Sequence, residues 1–260
     1  MDVAAFVLKK AKRMVAMNKY IRCLLEKATL KLLAIQGVGV GVEQKKEVAA
    51  VKNVINMQDS PCIFDVGANK GEYSLAVLEE IPTAKIHAFE PSQQAFSKLI
   101  KHKEKIVVNH LGVSDSCREA ILFSNEAGSP LASLSKRKLD HFNIPFEHTE
   151  SVKIVTLEKY CQENSVEHID LLKIDAEGEE FNILKGALSL FESDQISAVQ
   201  FEFGGCNIDS KTHFMDFYYF FKNYNFKLFR ILSNSSLYPI ESYKELYEIP
   251  IYQNFIAIKR

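Results

Sequence analysis

From residue 62 onward, short apolar runs alternate with stretches whose apolar positions recur every three or four residues. The apolar runs predict strands, because each is only a few residues long and ends at a turn-forming or acidic residue. The stretches between them predict amphipathic helices. We place strands at 62–64, 85–89, 106–109, 169–174 and 197–203, and helices at 72–80, 92–101 and 179–191. Strands that alternate with helices predict an α/β fold with a parallel, doubly wound sheet.

A polar insertion interrupts this alternation. Residues 111–115 predict a loop, and residues 120–123 and 151–155 predict extra strands on either side of the insertion at 124–150. The sequence does not reveal whether this insertion forms a lid over a binding site.

The end of the chain predicts a helix at 211–222 and final strands at 226–232 and 251–258, which complete a seven-stranded, mostly parallel sheet with an antiparallel closing strand. The helix and the residues after it are strongly aromatic. These side chains could stack on a sugar ring, but a helix this aromatic is more typical of a core or an interface. They are Phe214, Phe217, Tyr218, Tyr219, Phe220, Phe221 and Tyr224.

The first 60 residues predict an N-terminal helical extension, with one helix over 1–35 and another over 43–57, ahead of a single catalytic domain at 61–260. The first helix is amphipathic and basic, with Asp2 and Glu26 as its acids. We expect no signal peptide, because the apolar run from Val3 to Leu8 is too short and lacks a small-residue cleavage site. No window reaches the ~18 apolar residues of a membrane span. Three interpretations stay open: docking on this domain or on a second copy in a homodimer, peripheral contact with a membrane, or a solvated helix.

The segment 62–74, CIFDVGANKGEYS, predicts a strand, a tight loop and a helix, the junction at which nucleotide-like cofactors bind. A dinucleotide fingerprint would need glycine where Glu72 stands, and a phosphate-binding loop would need Lys70 to follow the last glycine. The remaining pattern, D-x-G-x-N-x-G, resembles motif I of class I S-adenosylmethionine-dependent methyltransferases. That cofactor has no phosphate and carries cationic groups, so the acidic Asp65 suits it. Asn69 can adopt the left-handed backbone that a glycine would usually supply.

Acidic residues also end the later strands, at the sheet edge where ligands of such folds bind. Glu90 follows the loop by about 20 residues, the offset at which an acid meets a ribose diol, and Ser92 follows it. Ser114 and Asp115 come after the third strand, within reach of an adenine amino group, although Asp115 is also a common turn residue.

The fourth predicted strand ends in KIDAEGEE, 173–180. Asp175 stands at the tip of an apolar strand, where a carboxylate can stabilise cations, accept a hydroxyl proton or bind a metal. Glu179 and Glu180 are also ordinary first-turn acids of a helix. Glu202 ends the fifth strand at the same edge of the sheet.

Composition narrows the class of protein. Of 260 residues, 47% are apolar and 25% are charged, and the net charge is -1. This composition is typical of a globular protein. A net charge so close to zero produces no overall positive electrostatic field of the kind that indicates nucleic-acid binding. The five cysteines are scattered without a C-x-x-C pair, and the histidines lack H-E-x-x-H spacing. We therefore expect no disulfide framework, no metal site and a cytoplasmic location, with peripheral contact at the inner membrane face as the variant.

Five ordered segments together resemble the FkbM-type methyltransferase family: DVGANKGEYS, the Glu90-Pro91 pair, LGVSD, VTLEKY and KIDAEGEEFNILKGA. The resemblance spans roughly residues 63–200 and implies a Rossmann-like class I methyltransferase that uses S-adenosylmethionine on hydroxyl oxygens of sugars or natural-product scaffolds. It departs from the family at Ala176 and Glu179, which affects packing more than chemistry. The resemblance does not cover the first 60 residues.

By motif match, the resemblance implies a set of site residues. The residues that would bind the cofactor are Asp65, Gly67, Asn69, Gly71 and Glu90, and those of the second signature are Asp175, Glu177 and Gly178. Beyond the motif match, we expect further cofactor contacts from Ala68, Tyr73, Ser92, Ser114, Asp115 and Asp175. We expect the acceptor to be bound by Glu177, Gly178 and Glu180.

We expect Asp175 to act as the general base for an alcohol acceptor, with Glu202 as the second candidate and a metal-assisted reaction as a variant. The expected activity is O-methylation of a sugar or glycan of polysaccharide or O-antigen type. A methyltransferase for a lipid or small natural product, and a non-catalytic binding module of the same fold, remain as alternatives.

Overall fold

A computed structural model describes residues 19–39, 43–52 and 60–260. The predicted helix over 1–35 is present as α1, Lys19–Ile35, and the one over 43–57 as α2, Gln44–Lys52. The remaining parts of both predictions, at 1–18 and 53–57, lie outside the described residues. Among the described helices, none is long and apolar enough to cross a bilayer.

The main sheet has the order β10-β9-β11-β8-β7-β1-β2-β3. Its strands are β1 Cys62–Val66, β2 Lys85–Phe89, β3 Val107–Asn109, β7 Leu171–Ile174, β8 Ala198–Phe203, β9 Phe226–Ile231, β10 Leu237–Ile240 and β11 Gln253–Lys259. The five adjacent strands β3-β2-β1-β7-β8 pair in parallel. Strand β11 runs antiparallel between β8 and β9. This confirms the doubly wound sheet with an antiparallel closing strand.

The sheet has eight strands rather than the predicted seven. The extra strand, β10, forms an antiparallel hairpin with β9 and lies at the edge of the sheet. Its sequence LYPI is short and contains Pro239, which cannot donate to a ladder and is tolerated at an edge. That composition gave no strand signal.

Helices cover both faces of the sheet. They are α3 Glu72–Glu80, α4 Gln93–Leu99, α5 Leu157–Asn164, α6 Glu180–Lys185, α7 Leu188–Glu192, α8 Cys206–Ser210 and α9 Phe214–Asn223. The single helix predicted at 179–191 is divided into α6 and α7 at Gly186, where a Cβ atom would lie 2.2 Å from the carbonyl oxygen of Ser114. Tertiary packing therefore ends the first helix at that glycine.

A second, three-stranded sheet lies beside the main one, with the order β4-β6-β5. Strands β5, Arg118–Ser124, and β6, His148–Val155, pair antiparallel and confirm the two extra strands. The predicted loop at 111–115 is wrong in part, because Gly112–Val113 forms β4 and pairs in parallel with β6. Two residues are too few to show a strand period.

Aromatic residues form much of the core beneath β8. Phe201 stacks on Phe217, Phe221 and Phe255, and all four side chains are fully buried. The interpretation of the aromatic helix as core therefore holds for its inward face. This packing fixes the position of β8, and with it the edge of the sheet at which the acidic residues collect.

Candidate active site

A cavity of about 310 Å³ opens at the carboxyl ends of β1, β2 and β7. Strand β1 lies between β2 and β7, so the cavity occupies the point at which the strand order reverses, as expected for ligand sites in such sheets. Of the predicted site residues, Gly67, Ala68, Asn69, Tyr73, Glu90, Asp175 and Glu177 line it. The others, which do not line it, are Asp65, Gly71, Ser92, Ser114, Asp115, Gly178, Glu180 and Glu202. The functional roles of both groups stay predictions.

The loop after β1 turns sharply through left-handed backbone at Gly67, Asn69 and Gly71, with φ of 82°, 48° and 87°. The backbone N–H groups of Gly67 and Ala68 both donate to the carbonyl oxygen of Phe89 at 3.0 Å. These bonds tie the loop to the end of β2. Asn69 is left-handed, as its place in the motif predicts.

Glu90 closes this loop from the neighbouring strand. Its Oε2 accepts from the N–H of Asn69 and its Oε1 from the N–H of Ser92, both at 2.8 Å. Burial raises the pKa of Glu90 to about 7, against the lowering effect of these two bonds. Each oxygen keeps a lone pair, so the carboxylate can still accept a hydroxyl on the cavity side. Ser92 lies behind it as the residue before α4.

Asp65 does not line the cavity, but it forms an ion pair with Lys173, which does. The Asp65 side chain is fully buried, and its Oδ2 accepts from the hydroxyl of Ser74 at 2.6 Å. Its other oxygen lies 3.6 Å from Nζ of Lys173. Gly71 also faces inward, because a Cβ there would lie 2.9 Å from Leu99.

Lys173, which the sequence reasoning did not select, lines the cavity beside Asp175. Its Nζ lies 3.0 Å from Oδ2 of Asp175 and 4.9 Å from the centre of the Tyr73 ring. Burial alone would lower the pKa of Lys173, but the carboxylates of Asp175, Asp65 and Glu47 together raise it above its ordinary value. The Asp175 side chain is 41% exposed, so an acceptor can reach it. The feature of the sequence that could have identified Lys173 is its place as a lysine within an otherwise apolar strand.

The turn after Asp175 is held in an unusual conformation. Glu177 is left-handed at φ 48°, and Gly178 follows at φ 109°. Buried Glu180 braces the turn by accepting from the N–H of Ala176 at 3.1 Å and of Gly178 at 3.0 Å. Burial raises the pKa of Glu180 to about 7 and that of Glu177 to about 8. Gly178 and Glu180 therefore shape the turn, while Glu177 reaches the cavity.

Glu202 lies near this acidic group at the end of β8. Burial is the main cause that raises the pKa of Glu202 well above its ordinary value. The nearby carboxylates raise it further; they belong to Asp175, Glu177 and Glu180. Since Glu202 does not line the cavity, Asp175 has the better access to an acceptor.

The residues predicted to meet adenine lie to one side. Ser114 is buried and donates to Oε2 of Glu179 at 2.7 Å. Asp115 is exposed and pairs with Arg118 at 3.0 Å. Glu179 itself lines the cavity, so Ser114 contacts the site through it.

The insertion forms one wall of the cavity through residues near its start, at 129–134. The hydroxyl of Ser133 donates to the carbonyl oxygen of Glu177 at 2.6 Å. Further along, Arg137 forms an ion pair with the Glu177 carboxylate and lies 3.6 Å from Asp209. The insertion is thereby fixed to the turn after Asp175. Neither contact was apparent from the sequence, because the partners are far apart in the chain.

Helix α2 of the N-terminal extension also reaches the site. Its Gln44 lines the cavity, and buried Glu47 accepts from the amides of Gln200 at 2.8 Å and Asn254 at 2.6 Å. Gln200 in turn accepts from the hydroxyl of Tyr73 at 2.7 Å. Burial raises the pKa of Glu47 to about 7. Buried amides in two apolar strands were the only sequence signal for this network.

The residues that line the cavity are chemically compatible with S-adenosylmethionine. Gly67 lets the loops after β1 and β7 meet, Glu90 places a carboxylate at the cavity, and Phe89 and Val113 supply apolar lining. Within residues 19–39, 43–52 and 60–260, no cluster of His, Cys, Asp and Glu is arranged to hold a metal ion.

Three curated relatives share part of the chain. Methyltransferase sdnD of Sordaria araneosa is 29% identical over 52% of this chain and 63% of its own length. Hexuronic acid methyltransferase AglP of Haloferax volcanii is 23% identical over 56% of this chain and 58% of its own. 2-O-methyltransferase NoeI of Sinorhizobium fredii is 25% identical over 48% of this chain and 57% of its own. Each alignment thus spans less than two thirds of the relative.

A solved FkbM methyltransferase from Methylobacillus flagellatus KT shares the fold, with a TM-score of 0.53 at 12% identity over 86% of this chain and 49% of that one. The family model for the methyltransferase FkbM domain matches residues 65–228, which include the loops after β1 and β7 and the parallel strands β2, β3, β7 and β8. This match confirms the predicted fold class and S-adenosylmethionine as the cofactor of the domain. The chain belongs to the FkbM methyltransferase family.

Proposed function

We propose that the protein is an S-adenosylmethionine-dependent O-methyltransferase that acts on a hydroxyl group of a sugar or glycan. The observation that carries this proposal is the position of Asp175, which lines the same cavity as the loop at Gly67–Asn69 and as Glu90. A carboxylate beside the cofactor loop can serve an acceptor that must lose a proton, and an alcohol is such an acceptor.

In this mechanism the bound cofactor supplies an activated methyl group, and the chain supplies alignment, dryness and a base. Glu90 orients the ribose end of the site. Lys173 holds one oxygen of the Asp175 carboxylate at 3.0 Å, which leaves the other oxygen for the acceptor. As the hydroxyl oxygen of the acceptor attacks the methyl group, Asp175 takes the hydroxyl proton. Residues within 129–134 form one wall of the cavity, and an acceptor that packs against this wall would displace water from the reacting groups.

The polar rim supports a sugar as the acceptor. Asp175 and Glu177 offer carboxylate oxygens to sugar hydroxyls, and Lys70 is an exposed cation that lines the cavity. Lys173 is already paired with two carboxylates, so among the described lining residues Lys70 is the cation open to an acidic sugar. The names of two relatives, a hexuronic acid methyltransferase and a 2-O-methyltransferase, agree with this class of acceptor.

The experiment is a transfer assay with methyl-labelled S-adenosylmethionine and a panel of uronic acids, neutral hexoses, glycolipids, phenols and amines. We expect a labelled methyl ether on a sugar, and a higher yield with uronic acids than with the matched hexoses if Lys70 binds the carboxylate. Lys70→Gln should remove that preference and leave transfer to neutral sugars. Transfer only to amines or phenols would overturn the proposed acceptor, and cofactor binding without any transfer would favour a binding module.

A further inference from the structure

Helix α1 of the N-terminal extension is almost entirely uncovered by the rest of the described chain. Every residue from Tyr20 to Leu32 is exposed, although the helix is rich in leucine and isoleucine. Five of its large apolar side chains are between 44% and 71% exposed. These are Ile21, Leu24, Leu25, Leu32 and Ile35. An apolar surface of this kind needs a partner that shields it from water.

These five side chains share one face of the helix. At 3.6 residues per turn they fall within an arc of about 100°. Arg22 and Lys31 lie on either side of this arc with Lys27 beyond, and Glu26 is the acid of the helix. Leu30, which is 55% exposed, lies on the opposite side. The helix therefore combines an apolar face with a cationic border.

We propose that α1 binds an anionic membrane surface, with its apolar face at the boundary between headgroups and acyl chains. The cations bordering the face complement anionic lipid headgroups, and their long side chains can reach those headgroups while the leucines are buried. A second copy of the chain would instead bring like charges together along the same border. The preceding sequence continues the basic pattern with Lys9, Lys10, Lys12 and Arg13.

The attachment of α1 puts this surface near the active site. After the helix, Gln36 accepts from the Arg230 guanidinium at 3.1 Å, and the N–H of Gly39 donates to the carbonyl oxygen of Tyr252 at 2.8 Å. Tyr252 directly precedes β11, whose first residue pairs with Phe203 at the carboxyl end of β8. The helix thus joins the domain on the side of the sheet where the parallel strands have their carboxyl ends, which is also the side of the cavity. Membrane binding would bring lipid-linked acceptors close to that side.

The test is co-sedimentation of the full-length protein with vesicles of mixed phosphatidylglycerol and phosphatidylcholine, compared with pure phosphatidylcholine. We expect binding to the anionic vesicles that weakens as salt is raised. Leu25→Glu should lower the partition coefficient about tenfold or more, because it puts a charge on the membrane-facing side. Leu30→Glu, with the same change on the opposite side, should have a much smaller effect.

No binding to anionic vesicles at low salt would overturn the proposal, as would equal losses for the two variants. Sedimentation velocity supplies the competing outcome. If Leu25→Glu converts a dimer to a monomer and vesicle binding is absent, the face is covered by a second copy. The assay needs no methyl acceptor, so its result is independent of the proposed activity.

Discussion

A Cβ atom on Gly67 would lie 1.7 Å from the backbone carbonyl oxygen of Asp175. The loop after β1 and the loop after β7 therefore touch at a position where no side chain fits. One loop carries the cofactor signature and the other carries the proposed base, so this contact fixes how closely the two loops approach each other. Gly67 is also left-handed at φ 82°, which adds a second requirement for glycine.

Gly67→Ala should abolish cofactor binding, because the methyl group would push the two loops apart. Calorimetric titration with S-adenosylhomocysteine measures the loss directly. Gly205→Ala is the matched control, since Gly205 has φ -60° and its nearest contact for a Cβ is Arg137 at 3.9 Å. Unchanged affinity in Gly67→Ala would show that the loops can separate without cost to the site.

Asp175→Asn should lower the rate of transfer by about 10²–10⁴-fold, because an amide cannot accept the acceptor's proton. Cofactor affinity should stay within about tenfold, since the cofactor loop and Glu90 are untouched. The assay is single-turnover transfer to the sugar identified by the panel. Asp194→Asn makes the same change on a 69% exposed side chain and should have no effect. Full activity in Asp175→Asn would move the base role to Glu202, which Glu202→Gln then tests.

Arg137→Gln should release the insertion from the turn that carries Glu177. Removing one partner of a buried ion pair costs about 3–5 kcal/mol, part of which falls on the local fold. We expect faster hydrogen exchange at 129–134 and a higher KM for the acceptor. Lys136→Gln is the control, because the Lys136 side chain is 56% exposed and forms a surface pair with Glu147. Equal hydrogen-exchange rates at 129–134 in the two variants would show that the Arg137–Glu177 pair does not hold the insertion in place.

Glu47→Ala should destabilise the protein and lower the rate of transfer. It leaves the buried amides of Gln200 and Asn254 without their acceptor, at about 1–3 kcal/mol for each unsatisfied group. It also removes the bond that orients Gln200, whose side-chain oxygen accepts from the hydroxyl of Tyr73. Urea unfolding measures the first effect and kcat the second. Glu43→Ala, at a 79% exposed carboxylate just before the same helix, should change neither. A loss of stability with unchanged kcat would limit Glu47 to a purely structural role.

The free energy of unfolding should fall as pH rises from about 5 to about 8. Burial raises the pKa of Glu47, Glu90 and Glu180 to about 7 and that of Glu177 to about 8, above the ordinary 4.5. The folded state therefore holds protons that the unfolded chain has already released in this range. Their stabilising contribution is complete below the unfolded pKa and is lost through the folded one. Urea unfolding across this range is the measurement, and Glu90→Gln should flatten the slope. A stability that rises with pH would contradict the burial of these groups.

Local patterns were sufficient for the parts of the fold that neighbouring residues decide. Helix Glu72–Glu80 and strand Lys85–Phe89 match their predictions at both ends, and the left-handed Asn69 follows from its place in the loop. In each case the apolar spacing or the backbone preference is contained in a few consecutive residues.

The remaining features depend on contacts between distant residues. Glu47 and Asn254 meet across 207 positions, and Arg137 reaches Glu177 across 40. The break at Gly186 reflects the carbonyl oxygen of Ser114, which packs against it. No local period carries such information, so the wall of the cavity and the role of α2 became visible only in the folded chain.

The most direct test of the central claim is calorimetric titration of the wild-type protein with S-adenosylmethionine, with Glu90→Ala as the paired variant. The account predicts saturable binding at one site per chain, and a large loss of affinity when the Glu90 carboxylate is removed. Absence of binding to the wild-type protein, or equal affinity in Glu90→Ala, would contradict the assignment of this cavity to the methyl donor.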